Sequence, residues 1–313
     1  MSLEQAFAAV ERHDLAALTA LLDADGQLVA TADGHGNSLL NLAVSAGDEQ
    51  AVALLLERGA HVERANVHGW TPLHQAAHLG RVELAQTLLD AGAPVDGSAR
   101  GDGGTPLTVA LFWGQRATAE LLAATPGGLA PVNLRVAAGL GLTDVVERLF
   151  ARDGSLLPQA GAGRGFYRPH GGFPAWQPSQ SQTEVRDEAL AWAARNDRAD
   201  AVSLLVARGA DPERDVYRGT PLVWAAACGA LDAAARLVTV GADPNGRSSF
   251  GGPGHGESVT ALHVAAEGGR LDVVELLLAV GADRTARDAL HRATPAEWAE
   301  HAGREDAAAR LRR

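Results

Sequence analysis

The 313-residue chain contains no lysine; every basic side chain is an arginine. This removes Schiff-base chemistry, the lysine of a phosphate-binding loop and any lysine nucleophile. There is one cysteine, Cys228, so no internal disulfide can form, and a reducing cytoplasm is the expected setting. Positive charge is in deficit: 27 basic residues against 38 acidic ones leave a formal net charge of −11. Such a field repels phosphate backbones and anionic lipid, so neither nucleic acid nor membrane is an expected partner. No stretch approaches the roughly 18 apolar residues that span a bilayer. The opening MSLEQAFAAVERHD carries Glu4, Glu11 and Arg12 where an export signal needs a basic end and an unbroken apolar run. We expect a soluble protein. Abundant Arg, Ala and Gly without Lys resembles a high-GC bacterial coding bias.

What is present is repetition. TPLHQAAHLGRVELAQTLLDAGAPVD, from Thr71, recurs as TPLVWAAACGALDAAARLVTVGADPN from Thr220 and TALHVAAEGGRLDVVELLLAVGADRT from Thr260. Weaker copies start at Ser38, Thr105, Val132, Glu188 and Thr294, and residues 3–25 read as a divergent first copy. Threonine before proline supplies an N-cap oxygen, and proline at the first helical position gives up an N–H that had no partner anyway. The glycine that follows permits the left-handed turn closing a short helix, and apolar residues at three- and four-residue spacing, such as Val273, Leu276 and Leu277, predict a second helix. Gly-Ala-Asp closes that helix at Gly209, Gly241 and Gly281, with looser versions at Gly59 and Gly92. One such hairpin cannot bury its own apolar face, so neighbours must stack.

The unit resembles the ankyrin repeat. Its T-P-L-H-x-A signature is matched fully by Thr71 to Ala76, and by Thr260 to Ala265 with Ala261 in place of proline. The resemblance implies an all-α fold: an ankyrin-repeat solenoid of stacked helical hairpins, eight to nine repeats, with finger-like turns and one long inserted loop. The expected organisation is an N-terminal half over 1–153, the insertion over 154–184, and a C-terminal half over 185–313 continuous with the first. The resemblance further implies a binding surface made of finger tips and inner-helix ends, and a structural role for the signature histidines His74 and His263.

Repeat starts at 38, 71 and 105 are evenly spaced, but the gaps from 132 to 188 and from 220 to 260 are too long. The first contains GFYRPHGGFPAWQPSQSQ, residues 165–182, in which Phe166, Tyr167, Phe173 and Trp176 crowd a stretch that a disordered linker would leave poor in aromatics. Its front is expected to fold as a lid or wall, and only the QPSQSQ end reads as a linker. The inner helix after it is expected to start near Glu188. The second gap contains GRSSFGGPGHGESV, residues 246–259. Two fingers separated by one repeat lie on the order of 20 Å apart, so both insertions flank the finger bearing Tyr217 and Arg218.

Two readings of function follow. In the first, the protein binds a partner protein through its inner face, with His68, Trp70, His78, Phe112 and Trp113 clustered by repeat position as aromatic anchors. In the alternative, the C-terminal half forms a pocket for a polar or anionic small molecule, roofed by 160–183. There His170, His255, Glu257 and Tyr217 are the acid–base candidates, and Tyr167, Arg168, Trp176, Arg195, Arg218, Glu267, His291 and His301 the binding candidates, with Asn196, Asp288 and Arg292 nearby. HQAAH places His74 and His78 one turn apart, a zinc-compatible spacing, but two ligands without the HExxH glutamate do not make a site, and no metal or cofactor is expected. Trp192, Trp224 and Trp298 share one repeat position, read as core-facing rather than as a cofactor ladder.

Overall fold

The computed structural model describes residues 3–99, 104–129, 132–165, 179, 181–250 and 257–313. Among them are eighteen α-helices and no β-strand. The chain forms two compact units, Met1–Ala130 and Pro131–Arg313. The first unit holds four hairpins: α1 (Leu3–Glu11) with α2 (Leu15–Ala24), α3 (Leu39–Ala46) with α4 (Glu49–Glu57), α5 (Pro72–Leu79) with α6 (Val82–Asp90), and α7 (Pro106–Phe112) with α8 (Arg116–Ala124). The second holds five: α9 (Leu134–Leu140) with α10 (Thr143–Arg148), α11 (Gln182–Arg195) with α12 (Ala199–Ala207), α13 (Pro221–Cys228) with α14 (Leu231–Thr239), α15 (Ala261–Glu267) with α16 (Leu271–Ala279), and α17 (Pro295–His301) with α18 (Glu305–Arg312). Odd-numbered helices are the inner ones. The divergent first copy is a hairpin like the rest.

Each sequence signal becomes a specific contact. Thr71 Oγ1 accepts the His74 N–H, and His74 Nδ1 accepts from the Thr71 backbone, closing a box at the start of α5. That leaves His74 Nε2 as the protonated nitrogen, and it donates to the Gly104 carbonyl at 3.0 Å, at the root of the next finger. His263 repeats the arrangement with Thr260 and the Ala293 carbonyl. Burial holds His74 well below the usual imidazole range, at about 4, and lowers His263 in the same direction.

A second link runs backwards. Arg81, just before α6, lays its guanidinium over Gly47, which ends α3 in the left-handed conformation; a Cβ there would sit 2.9 Å from Arg81 Cζ. Arg198, Arg270 and Arg304 cover Gly141, Gly229 and Gly269 with their Cδ and Nε atoms instead, and Arg198 and Arg304 donate to the Gly139 and Glu267 carbonyls that the preceding inner helix leaves open. Gln115 does the same for the His78 carbonyl. The link is inverted at α14. Its N-cap is Ala230, which has no side chain to offer, and Asp197 of the preceding hairpin, at φ 58°, reaches forward to accept the Ala233 N–H at 2.8 Å.

A third link runs along the fingers of the second unit. The Asp243 N–H is accepted by Glu213, and the Asp283 N–H by Asn245, the residue equivalent to Glu213 one repeat later. Where the preceding repeat offers no such loop, Asp187 accepts the Asp211 N–H instead. Burial and nearby carboxylates push Asp187 and Glu213 above the usual acid range. Beneath these links lies the apolar core, with Leu40, Leu55, Leu73, Leu88 and Leu122 fully buried in the first unit and Leu134, Leu190, Leu205, Leu237 and Leu277 in the second. Trp192, Trp224 and Trp298 are buried as their shared position predicts.

Candidate functional site

The second unit departs from the repeat where the long insertion enters. α11 starts at Gln182, not near Glu188: it gains nearly two turns at its N-terminus, so Glu188, in the register of the capping threonine, lies inside a helix. The reason is that Ser181 and Gln182 begin the helix directly after the insertion. The QPSQSQ end is therefore no linker where it is described. Ser179 is held by Glu184 through both its N–H and its hydroxyl, and the Gln182 side chain accepts the Leu156 N–H.

Glu188 is fully buried, and an unpaired carboxylate there would be costly. Three elements supply partners. Arg135 of α9, in the register of the signature histidine, donates through Nη1 to Glu188 at 2.7 Å and through Nη2 to the Gly163 carbonyl at 3.1 Å. The second bond is the histidine's usual reach to the next finger, made by a longer side chain. Arg164, at the base of the insertion, pairs through Nε with Glu188, through Nη2 with Glu184 at 2.8 Å, and through Nη1 with the Ser179 carbonyl at 2.7 Å. The Tyr217 hydroxyl donates to the same Glu188 oxygen as Arg135. Burial raises Glu188, but the two guanidiniums beside it win and hold its carboxyl below the usual range. Burial and the Glu188 charge push Tyr217 well above the phenol range.

Tyr217 and Arg218 form the tip of a tight turn closed by a Val216–Gly219 bridge, and both have positive φ, 59° and 69°. Side chains at both central positions of such a turn are strained, since glycine and asparagine are the residues that adopt it easily. The turn is held from beneath. The Trp224 indole donates to the Val216 carbonyl at 2.8 Å, and the Arg195 guanidinium lies 3.5 Å from the Trp224 ring centroid and 5.3 Å from that of Tyr217. Arg195 is 1% exposed, so the residue expected at an open inner-helix end is packed inside. Asn196, equally buried, donates to the Trp192 carbonyl.

The other expected residues are dispersed. Arg218 reaches Ser249, and Glu257 is exposed, its carbonyl accepting the Ala289 N–H. Asp288 is buried: its carboxylate takes the His291 and Ala293 N–H groups and the Trp298 indole, closing the finger that carries exposed His291 and Arg292. His301 is exposed, and Glu267 is half-buried. Tyr167, Arg168, His170, Trp176 and His255 lie outside the described residues. A groove of about 600 Å3 runs beside α12 and α14, lined by Asp197, Arg198, Asp200, Asp232 and Arg236, none of them expected.

In the first unit the expected aromatics do meet. Trp70 and His78 stand edge to face at 5.3 Å, His78 and Trp113 at 4.7 Å, and Trp113 and Phe112 at 5.4 Å. Trp70 and Phe112 are buried, while His78 and Trp113 are half-buried. His68 is exposed on the finger tip beside Val67, which is 65% exposed, and Leu79 is exposed next to His78. His74 sits at the foot of the row with both ring nitrogens committed to its box and to Gly104, so this histidine of HQAAH is taken up by structure.

Arg135, Arg164 and Glu188 were not among the expected site residues. The signal was a charged residue in two registers at once: arginine where the repeat has histidine, and glutamate where it has threonine. No helix among the described residues is long and apolar enough to cross a membrane. A search of curated proteins returns no match. The family described as "Ankyrin repeats (3 copies)" matches residues 6–99, 64–133 and 134–248, and that described as "Ankyrin repeat" matches 259–289. With the capped hairpins, signature histidines and finger turns seen in both units, these matches across most of its length show that the chain belongs to the ankyrin-repeat family.

Proposed function

We propose that the chain binds a partner protein through the fingers and inner-helix ends of its first unit, with Trp113 and His78 as the central anchors. Ankyrin repeats are in general protein–protein interaction modules. The observation that carries the finer reading is the aromatic row from Trp70 to Phe112, half-exposed at His78 and Trp113 and neighboured by the exposed apolar Val67 and Leu79. Rigid aromatics at the centre of a contact, with apolar groups around them, are what concentrates binding energy. The net charge of −11 favours a partner with a basic face.

The test is a photo-crosslinking residue placed at Val67 or Leu79, with Gln86 on the outer helix as control. A partner captured from the first two sites and not the third is then purified and titrated. Trp113→Ala is expected to weaken its binding by about thirty-fold, the loss of about 2 kcal/mol typical of a hot spot. Equal capture from Gln86, or unchanged affinity for Trp113→Ala, would sink the reading.

A further inference from the structure

Glu188 stands where three stretches of chain distant in sequence converge. Arg135 comes from α9, Arg164 from the base of the long insertion, and Tyr217 from the finger before α13. An ordinary repeat needs none of this, because a threonine at this register caps its own helix. Here a buried carboxylate has replaced a local bond with long-range ones, and its removal would leave two buried guanidiniums facing each other.

The arrangement also joins the two ends of the insertion. On the entry side, the Ala162 and Gly163 carbonyls are held by Asn133, the N-cap of α9, at 2.8 Å and by Arg135 of α9 at 3.1 Å. On the exit side, Ser179 is held by Glu184 of α11. Arg164 crosses between them, with one hand on the Ser179 carbonyl, one on Glu184 and one on Glu188. It is 3% exposed, although it sits at the mouth of an insertion rather than in a helix. The 3-10 turn Pro158–Gly161 just before it is also packed inward, with Ala160 fully buried in the core of the unit. The strained turn at Tyr217 and Arg218 is the third fixed point, since Tyr217 donates to Glu188 from a conformation its side chain does not favour.

We infer that Arg164, Glu188, Arg135 and Tyr217 form an ionic lock that fastens the base of the long insertion to the inner helices, independently of the packing that holds the hairpins together. The lock fixes where the insertion leaves the repeat and where it returns. It also couples that base to the neighbouring finger, because Tyr217 shares an oxygen of Glu188 with Arg135.

Hydrogen exchange on the full chain, resolved by peptide, tests this with Arg164→Gln, Arg164→Lys and Tyr217→Phe. Arg164→Gln is expected to raise exchange at least ten-fold in the turns of α11 before Glu188 and in the residues around Ala160, while α13 to α18 keep wild-type protection. Arg164→Lys, which keeps a charge but not the fork, should give an intermediate rise. Tyr217→Phe should give a smaller rise at the same segments and also at Val216–Gly219. Unchanged exchange at the base in Arg164→Gln would overturn the inference. So would a uniform loss of protection over 131–313, which would make the cluster one more part of the core.

Discussion

The α5–α6 hairpin of the first unit and the α11–α12 hairpin of the second occupy equivalent stations and satisfy them differently. In the first, Thr71 caps its own helix, His74 bonds the next finger, and the aromatics Trp70, His78 and Trp113 stack with part of their surface outward. In the second, the threonine register holds Glu188, the histidine register of the hairpin before it holds Arg135, and the aromatics Trp192, Tyr217 and Trp224 are buried against arginines. The same scaffold presents aromatic surface in one unit and consumes it in the other. Part of the difference follows from one buried carboxylate: Glu188 draws in Arg135, whose guanidinium packs over the Trp192 ring, while Arg195 separately covers Trp224 and Tyr217.

Deleting that carboxylate is the largest way to break the contrast. Glu188→Ala leaves Arg135 and Arg164 buried beside each other, and a cost of about 3–5 kcal/mol is expected, confined to the second unit. Urea unfolding followed by peptide-resolved hydrogen exchange would show α9, the first turns of α11 and the residues around Ala160 opening at lower denaturant, with α13 to α18 and the first unit unmoved; an equal shift in both units would refute the assignment.

Acid should separate the units next. His74 titrates at about 4 when folded and near 6.5 when unfolded, so the unfolded chain takes up the proton first. Its contribution of roughly 3 kcal/mol is complete above pH of about 6.5 and is lost as pH falls toward about 4. His263 acts in the same direction in the second unit. There Glu188, whose carboxyl is depressed, adds a further loss that begins as pH falls through the ordinary carboxylate range and continues below it. Unfolding midpoints between pH 7.5 and 3.5 check this, and His74→Ala should flatten the first unit's dependence while lowering its stability at pH 7.

The smallest expected effect concerns the inverted link at α14. Asp197→Gly suits the local φ but removes the cap on Ala233, at a cost of about 1 kcal/mol. Asp197→Asn, which keeps an acceptor oxygen and tolerates the positive φ, should retain most of the stability. Thermal melts of the two variants decide this, and an Asp197→Asn protein no more stable than Asp197→Gly would show that Asp197 acts otherwise.

Much of this was legible in the residues. The hairpins, caps, left-handed glycines and signature histidines are local patterns, each decided within a few positions of chain. The start of α11 was not, because nothing within TEVRDEAL says whether the helix waits for the repeat register or begins as soon as the insertion ends; Ser179, Glu184 and Arg164 decide it across the fold. Arg195 was misplaced for a similar reason. Its position at the end of an inner helix suggested exposure, but the Tyr217 turn folds over it. Composition drew attention to the aromatic stretch of the insertion, whereas the described anchorage centres on Arg164 just before it, with Arg135, Glu184 and Glu188 as partners.

The three recurrent links also bear on how such a chain can be edited. Histidine to the next finger, arginine or glutamine back to the previous turn, and an acceptor to the next Gly-Ala-Asp turn are standard couplings, and a hairpin offering all three would be interchangeable with its neighbours. The α11–α12 hairpin is not interchangeable. Glu188 is satisfied by an arginine from upstream, a second from the insertion and a tyrosine from downstream, so the hairpin keeps its anchorage in a new setting only if those four residues travel together.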